Sequence, residues 1–317
     1  MRIAMISTNV LAVPPIDYGG TEREVHYLTE ELTRRGHKVF LFAKKGSVSN
    51  ATKTFYWPSG NKQEQLAFLR AKLPANIDII HDHYGLASKL NTRTPIVRSN
   101  HGNSRLFVKH PVYVSKTMLM TIGKGKGYYI PNGIRLADYK YSTRKADYLL
   151  FLGRMNRLKG VHLAIEVAKK TDKKLLLAGP VTPLGDKKYF QSMIRPQLNK
   201  NIQYIGSVGG ARKQKLLSQA SCVLFPSIWN EPFGLVMVEA LASGTPVLAL
   251  KNGAAPEVLK GMPQLLCRNA NEMANKVKNL SKLPPPYTCR RYVRTHYSDR
   301  VLATRFIALY KRILRRR

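Results

Sequence analysis

Residues 230–246 read Asn230-Glu-Pro-Phe-Gly-Leu-Val-Met-Val-Glu-Ala-Leu-Ala-Ser-Gly-Thr-Pro246, and they lie between two short apolar runs. The runs, Cys222–Pro226 before the segment and Val247–Leu250 after it, have the length and composition of buried strands. The segment itself predicts a loop followed by a helix that begins near Leu235. A strand, a helix and a second strand in this order predict a parallel βαβ unit.

The same alternation of apolar runs and helix-period segments extends in both directions along the chain. In the second half, further strands are predicted at Tyr148–Leu152, Lys174–Ala178, Ile202–Gly206 and Gln264–Cys267. In the first half they are predicted at Arg2–Ser7, Lys38–Ala43, Asp78–His83, Pro95–His101, Val112–Ser115 and Tyr128–Ile130. We therefore predict an α/β protein with two doubly wound, Rossmann-like domains. The predicted boundaries are 1–136 and 147–298, with a polar linker over Ala137–Ala146.

Two helices have distinctive sequence patterns. Thr21–Arg35 predicts a helix with Thr21 as N-cap, Glu24 completing a capping box and Gly36 closing it. Residues 299–317 predict an amphipathic helix whose apolar stripe either packs against a domain or lies on a membrane surface. We favour packing, because basic residues occupy the other face in either case.

The charge of the chain is far from neutral. Its 317 residues include 53 Lys and Arg against 18 Asp and Glu, which gives a net charge of +35. No acidic residue occurs between Asp82 and Asp138, and we call residues 83–137 the acid-free segment. The basic residues of this segment are Lys89, Arg93, Arg98, Arg105, Lys109, Lys116, Lys124, Lys126 and Arg135. Nucleotide phosphates, an anionic membrane or lipid acceptor, nucleic acid, or a general basic bias of the source would each explain this balance.

Composition also bounds the compartment and the class of fold. The apolar fraction of 44% is typical of a globular chain, and no apolar run has the length of a transmembrane helix. Three cysteines, at positions 222, 267 and 289, without CxxC spacing predict neither a disulfide framework nor a zinc site. The first residues lack the pattern of a signal peptide, so we expect a reducing, cytoplasmic setting.

Glycines and cations follow several of the predicted strands, where open parallel sheets bind their ligands. Tyr18-Gly-Gly-Thr-Glu22 places two glycines before a helix N-terminus, which suits a pyrophosphate or simply makes the turn. In Gly153-Arg-Met-Asn-Arg-Leu-Lys-Gly160, Arg154 and Lys159 bring two cations to one loop. Such a loop stabilises a diphosphate, or is an ordinary solvated basic loop.

Two carboxylates lie eight residues apart in the opening segment. Glu231 is predicted in the loop before the helix, and Glu239 about a turn and a half into it, on the ligand side. Carboxylates in these places can accept hydrogen bonds from sugar hydroxyls, although two surface acids would give the same spacing.

These motifs occur together in a familiar order. The Glu231-to-Glu239 pattern, the Gly153–Gly160 segment and Ser243-Gly-Thr-Pro-Val247 closely resemble glycosyltransferase family four, whose members are retaining, nucleotide-sugar-dependent enzymes of the GT-B fold. The resemblance covers nearly the whole chain, and its other motifs are Tyr18–Glu22, His81–His83, Asn100–Gly102, Pro131–Ile134 and Tyr292–Ser298. It implies two Rossmann-like domains that face each other across a cleft, with the last helix returning to the first domain.

The resemblance implies a role for each matching residue. Gly20 would approach the donor β-phosphate, while Arg154 and Lys159 would clamp the diphosphate. Glu239 would hold the ribose hydroxyls. The donor sugar would be held by Glu231 and the backbone N–H groups of Phe233, Gly234 and Leu235. Gly206 and Val208 would line the base pocket, and His101 would lie near the anomeric side of the sugar.

The implied chemistry uses charge and position rather than a covalent nucleophile. The family generally has no DxD metal motif, and here Asp78 and Asp82 are four residues apart. We therefore expect no cofactor beyond the nucleotide-sugar co-substrate, and no metal requirement for the transfer. His81 and His83 share one face of a strand without an obvious third ligand, so we interpret them as structural or acceptor-lining.

The predicted function is thus transfer of a hexose, glucose or mannose, from a UDP- or GDP-sugar to an acceptor that the sequence does not identify. Two alternatives stay open: a basic protein that binds nucleic acid or an anionic surface, and a sugar-nucleotide epimerase on the same fold. Nucleic acid is disfavoured because the chain lacks helix-turn-helix and RNP motifs. The acid-free segment predicts an anionic acceptor or peripheral association with an anionic membrane.

Overall fold

The structure is a computed structural model, and it describes residues 1–16, 19–102, 106–182 and 186–316. These residues form two compact units. The first unit comprises Met1–Arg135 together with the segment that starts at Tyr297, and the second comprises Leu136–His296. Within the described ranges, no helix combines the length and the apolar composition needed to cross a membrane.

The first unit contains a seven-stranded sheet in which every pairing is parallel. Its strands are β1 (Arg2–Ile6), β2 (Lys38–Ala43), β3 (Lys53–Tyr56), β4 (Ile79–Asp82), β5 (Ile96–Asn100), β6 (His110–Tyr113) and β7 (Tyr128–Tyr129). The spatial order is β3-β2-β1-β4-β5-β6-β7. Successive connections run outward from β1 on one side and from β4 on the other, which makes the sheet doubly wound.

Burial on both faces explains the unbroken apolar sequence of the central strand. Ile3 and Met5 pack into one apolar cluster, whereas Ala4 and Ile6 pack into another on the opposite face. Three helices of this unit are α1 (Gly20–Arg34), α2 (Lys62–Lys72) and α3 (Lys116–Thr121). Strands covered on both faces are expected for a parallel sheet, because its crossover helices lie on each side.

The second unit repeats this architecture with six parallel strands. They are β8 (Leu149–Leu152), β9 (Leu175–Ala178), β10 (Ile202–Tyr204), β11 (Cys222–Phe225), β12 (Val247–Leu250) and β13 (Leu266–Cys267). The spatial order is β10-β9-β8-β11-β12-β13. Its helices are α4 (Val161–Thr171), α5 (Asp186–Tyr189), α6 (Gly210–Gln219), α7 (Leu235–Ala242), α8 (Ala255–Val258), α9 (Ala270–Val277) and α10 (Pro286–His296). The predicted pair of doubly wound α/β domains is confirmed.

The last helix, α11 (Asp299–Leu314), belongs to the first unit. A parallel bridge joins Ile134 to Ser298 where the chain re-enters this unit. The apolar stripe of α11 is buried in the same cluster as Ile3 and Met5, and its buried members are Leu302, Ala303, Phe306, Leu309, Tyr310 and Ile313. The prediction that this stripe packs against a domain is therefore confirmed.

The segment predicted as a linker, Ala137–Ala146, lies within the second unit. The Arg290 guanidinium donates hydrogen bonds to the carbonyl oxygens of Leu136 and Tyr139, at 2.9 and 3.0 Å. The Lys145 ammonium group lies 2.8 Å from both Ser218 O and Thr245 Oγ1. Long-range hydrogen bonds thus anchor a stretch whose polar sequence indicated only a connection.

Helix α1 begins one residue earlier than predicted, and the capping box is absent. Gly19, with φ +153°, is the N-cap, no side chain caps the helix, and Thr21 lies inside the first turn. A Cβ on Gly19 would come within 2.7 Å of Pro15 Cβ, so the turn requires glycine there. Glu24 is consequently not used by the helix end.

Candidate functional site

The second unit has a topological switch point between β8 and β11. From β8 the sheet extends to β9 and β10, and from β11 it extends to β12 and β13, so the connections diverge at this position. Ligands of open parallel sheets bind beyond the carboxyl ends of the strands that flank such a point. Arg154 follows β8 and Glu231 follows β11, so the structure places predicted site residues in both of the relevant loops.

Lys159 and Glu231 form an ion pair between these two loops. The Lys159 ammonium group also lies 4.5 Å from the centre of the Trp229 ring. Ser227 Oγ donates a hydrogen bond of 3.0 Å to the same Glu231 oxygen that the lysine contacts. Glu231 is only 6% exposed, so its carboxylate has little contact with water. The Lys159 charge and the Ser227 hydrogen bond replace the hydration that it loses on burial.

Backbone contacts fix the loop that carries Lys159 to the loop that carries Glu231. Leu158 O accepts hydrogen bonds from the N–H groups of Ile228 and Trp229, at 2.9 and 3.1 Å. Gly160 has φ +72°, and a Cβ there would lie 1.9 Å from Pro226 O. Only glycine permits this approach, so the sequence Lys159-Gly160 both supplies the cation and lets the loops meet.

Arg154 lies near this pair in sequence but has different surroundings. Among the described residues, its guanidinium forms no hydrogen bond, ion pair or cation–π contact, and the side chain is half-buried. No residue that the structure describes therefore compensates its charge. Arg154, Lys159 and Glu231 together carry a net charge of +1, which favours an anion at this end of the sheet.

Glu239 occupies a separate cluster on α7. It is 4% exposed, accepts a hydrogen bond of 2.9 Å from Tyr139 Oη, and lies 2.7 Å from the Lys213 ammonium group. Tyr139 and Lys213 are missing from the sequence analysis because they come from distant segments and carry no motif of their own. The sequence spacing suggested that Glu231 and Glu239 act together. In the structure they have different lysine partners.

The start of α7 separates the two carboxylates. Phe233 is buried, and Gly234 is the N-cap with φ +85°. The first N–H groups of a helix have no acceptor within it, so those that follow Glu231 in sequence are suited to bind oxygen atoms of a ligand. The contacts of the backbone N–H groups of Phe233, Gly234 and Leu235 with a donor sugar remain predictions.

Two residues after β10 complete the predicted set in this unit. Gly206 has φ +76°, and its carbonyl oxygen accepts a hydrogen bond of 2.9 Å from Gly179 N. Val208 lies half-buried in the same loop. Both residues follow β10, so they lie at the carboxyl ends of the strands, as Arg154 does after β8. Their role beside a base remains a prediction.

The first unit has a topological switch point of its own, between β1 and β4, and its predicted residues follow β1 and the strand beside β4. Gly20 is the first residue of α1, and His101 follows β5. Tyr18 of the predicted glycine motif lies outside the described residues, as does Arg105 of the acid-free segment. The phosphate contact of Gly20 and the sugar contact of His101 remain predictions.

His101 belongs to a buried cluster that the sequence analysis did not find. Its Nε2 lies 2.9 Å from His83 Nδ1, and its Nδ1 lies 3.9 Å from Glu24 Oε2. Burial lowers the pKa of His101 to about 4 and that of His83 well below its usual value. Burial raises the pKa of Glu24 to about 8. The side chain assigned to a capping box in fact lies beside two histidines, with one donor atom of each residue within 4.8 Å of the others.

His81 is held by structural contacts. Its Nδ1 lies 2.7 Å from Tyr310 Oη of α11, and its Nε2 lies 2.8 Å from Ser99 Oγ. Burial, and the charge of His101 to a smaller extent, lowers the pKa of His81 to about 3. The pair of His81 and His83 was interpreted as either structural or acceptor-lining. The structural interpretation accounts for His81, whereas His83 lies in the cluster with Glu24 and His101.

Two family models match the chain. The model described as "Glycosyl transferases group 1" matches residues 140–295, and the model described as "Glycosyltransferase Family 4" matches residues 18–138. Together with two parallel-sheet Rossmann-like units, these matches define a glycosyltransferase of the GT-B class. The chain belongs to the group 1 glycosyltransferases of family four.

Relatives and solved structures agree with this family. The phosphatidyl-myo-inositol mannosyltransferase of Mycobacterium leprae is 25% identical over 312 residues, which cover 82% of this chain and 81% of the relative. An uncharacterized glycosyltransferase of Methanocaldococcus jannaschii is 33% identical over 118 residues, which cover 35% of this chain and 29% of that one. The crystal structure of AviGT4, a glycosyltransferase involved in avilamycin A biosynthesis, is 28% identical, with a TM-score of 0.85, and the match covers 100% of this chain and 98% of that one.

Proposed function

We propose that this chain is a retaining hexosyltransferase that takes glucose or mannose from a UDP- or GDP-sugar. The observation that carries the proposal is the Lys159–Glu231 ion pair at the switch point of the second unit. It combines a cation for a phosphate with a buried carboxylate for sugar hydroxyls. The name of the mycobacterial relative supports mannose among the candidate sugars.

Arg154 and Lys159 bind the donor diphosphate in this proposal. Arg154 offers a charge that no described residue compensates, and Lys159 is held in place by Glu231 and the Trp229 ring. Negative charge grows on the diphosphate as the bond to the sugar breaks. Because Lys159 is already fixed, it stabilises that charge with little reorganisation, and electrostatic stabilisation of this kind is generally the largest contribution to the rate.

Glu231 holds the donor sugar, together with the backbone N–H groups of Phe233, Gly234 and Leu235. Its second carboxylate oxygen is free of the Lys159 and Ser227 contacts, both of which use Oε1. A charged acceptor forms stronger hydrogen bonds to hydroxyl groups than a neutral one does.

Glu239 holds the ribose hydroxyls. Its Oε1 is occupied by Tyr139 and Lys213, which orient the carboxylate. Gly206 and Val208 line the base pocket in this proposal.

The leaving diphosphate helps to deprotonate the acceptor on the face from which it departs, so configuration is retained without a protein nucleophile. The contribution of the protein is position and charge. A divalent metal is not required for this step, because Arg154 and Lys159 supply the positive charge.

The acceptor is anionic in this proposal and is presented at a membrane surface. The acid-free segment contains three exposed lysines, Lys109, Lys124 and Lys126, and an exposed Phe107, whose exposed fraction is 84%. Phe107, Lys109 and Lys126 line one surface pocket. Cations around an exposed aromatic ring suit an interface with anionic lipid.

Calorimetric binding of UDP-, GDP- and ADP-sugars tests the donor site, with Glu239→Ala as the first variant. We expect one nucleotide to bind preferentially and Glu239→Ala to weaken it at least tenfold, because ribose hydroxyls lose a charged acceptor. Glu166→Gln is the matched control, since Glu166 pairs with Lys170 on the exposed face of α4. Equal affinity in wild type and Glu239→Ala would overturn this assignment.

Release of nucleoside diphosphate with and without acceptor then tests the reaction. Transfer predicts release that depends on an acceptor, whereas an epimerised nucleotide-sugar formed without acceptor would favour the epimerase. Absence of nucleotide-sugar binding, together with steeply salt-dependent binding to DNA, would favour the nucleic-acid alternative.

Flotation with phosphatidylinositol-containing and phosphatidylcholine vesicles tests the acceptor surface. We expect binding to the anionic vesicles only, weakened by salt, and reduced in a Lys109→Gln/Lys126→Gln variant. Binding that is indifferent to salt would contradict an electrostatic surface.

A further inference from the structure

Three side chains with metal-binding atoms converge in the first unit, each from a different element. Glu24 comes from the second turn of α1, His83 follows β4 and His101 follows β5. One carboxylate oxygen and one ring nitrogen from each histidine all lie within 4.8 Å of one another. The closest pair, His83 Nδ1 and His101 Nε2, is 2.9 Å apart.

Two atoms of this cluster are buried without a hydrogen bond among the described residues. They are Glu24 Oε2 and His83 Nε2. Glu24 is 3% exposed and His83 is 7% exposed, so water does not replace the missing partners at the surface. Buried polar atoms without partners are rare in folded proteins, and each one calls for a ligand or another specific explanation.

The two histidines share a hydrogen bond, whereas the contact between His101 and Glu24 is not one. His101 Nδ1 and Glu24 Oε2 are 3.9 Å apart, which is too far for a hydrogen bond. Two ligands bound tetrahedrally to Zn²⁺ at about 2.1 Å are about 3.4 Å apart. The 2.9 Å separation involves His101 Nε2 and the 3.9 Å separation involves His101 Nδ1, so a shared ion would bind one of these nitrogens, and the three donor atoms, now within 4.8 Å of one another, would rotate toward about 3.4 Å.

We propose that Glu24, His83 and His101 bind a divalent transition-metal ion of the Zn²⁺ class. Imidazole nitrogen and carboxylate oxygen are ligands that such ions accept, and three protein ligands leave a fourth position open. A bound cation stabilises the charged form of the Glu24 carboxyl, which burial otherwise disfavours. His81, which is held by Tyr310 and Ser99, is not a ligand in this proposal.

The test is metal binding by the full chain after removal of metals with a chelator. Calorimetric titration with Zn²⁺ is expected to give one equivalent of tight binding, and Co²⁺ is expected to give the intense visible absorption of a tetrahedral complex. Glu24→Gln, which keeps the side-chain volume, is expected to weaken Zn²⁺ at least tenfold and to abolish the Co²⁺ absorption. His83→Gln is expected to do the same.

The matched controls are Glu30→Gln, on the same helix, and His110→Gln, in the same unit, which are expected to bind metal like the wild type. Circular dichroism checks that each variant is folded. If Glu24→Gln is not folded, His83→Gln tests the proposal instead. The proposal is overturned if the folded wild type binds no stoichiometric metal, or if a folded cluster variant binds as tightly as the controls. Sugar transfer is not the readout, so the result is independent of the proposed function.

Discussion

Replacing Lys159 by Met separates the structural role of the Lys159–Glu231 pair from its proposed role in transfer. Met keeps much of the length and apolar contact of the side chain but removes the ammonium group. The Glu231 carboxylate is then left with the Ser227 hydroxyl as its side-chain partner. Glu231 is 6% exposed, so a charge that was paired becomes a buried and largely uncompensated one.

The magnitude follows from the burial of the two side chains. Removing one member of a buried ion pair typically costs about 3–5 kcal/mol. The Lys159 side chain is 18% exposed, so water enters part of the space and the lower end, about 3 kcal/mol, is expected. At about 2–4 °C per kcal/mol for a unit of this size, the melting temperature falls by roughly 6–12 °C.

A double variant, Lys159→Met with Glu231→Gln, is expected to recover most of this stability. Gln is neutral and can still accept the hydrogen bond from Ser227, so no buried charge remains. Transfer is expected to stay at least about 100-fold below wild type in the single and the double variant, because both lack the cation for the leaving diphosphate. Thermal denaturation measures the stability of each variant, and release of nucleoside diphosphate measures sugar transfer.

Lys170→Met is the matched control, because the Lys170–Glu166 pair lies on the surface and contributes less than about 1 kcal/mol. A Lys159→Met variant as stable as this control would refute the burial argument. A double variant with restored transfer would show that the pair is only structural, and the proposed role of Lys159 would be wrong.

Three further outcomes are expected. Arg154→Met should weaken nucleoside diphosphate binding at least tenfold in calorimetry without lowering the melting temperature, since no described residue pairs with its guanidinium; unchanged affinity would contradict its assignment. Gly160→Ala should destabilise the chain by about 3 kcal/mol in denaturant titration, because φ is +72° and the new Cβ would meet Pro226 O; a near-neutral effect would refute the close approach. Burial lowers the pKa of Lys145 to about 8, so between pH 8 and about 10.4 the unfolded chain binds more protons than the folded one. The unfolding free energy of wild type relative to Lys145→Met should therefore rise by about 1–2 kcal/mol from pH 7.5 to 10, after allowance for solvent screening of a half-buried group; a flat or falling difference would contradict this.

The sheet topology was predictable because burial on both faces leaves uniformly apolar runs in the sequence. Lys38–Ala43 and Val247–Leu250 coincide with β2 and β12, and the other predicted strands differ from the observed ones by one or two residues at one or both ends. Strand β3 (Lys53–Tyr56) was not predicted, because its residues are exposed or half-buried and the run is short. Helix α2 was not predicted either, because its two buried residues, Gln65 and Leu69, leave little periodic signal.

The site was predictable where it depends on local sequence and not where it depends on distant partners. The loop containing Lys159 and the start of α7 follow from motifs that order a few neighbouring residues. The pairing of Glu239 with Tyr139 and Lys213 joins three segments, and no local pattern specifies it. Glu24 was misassigned for the same reason, since the capping box was a complete local explanation.

The return of the chain to the first unit has a consequence for the order of events during synthesis. Leu302 and Phe306 of α11 lie in the same apolar cluster as Ile3 and Met5, so this core cannot be completed until residues beyond the entire second unit have left the ribosome. The second unit, in contrast, is one uninterrupted stretch of sequence. Synthesis from the N-terminus therefore completes the second unit before the first one. Until α11 is made, the first unit has apolar surface that is not covered, and chaperones bind nascent chains in this state.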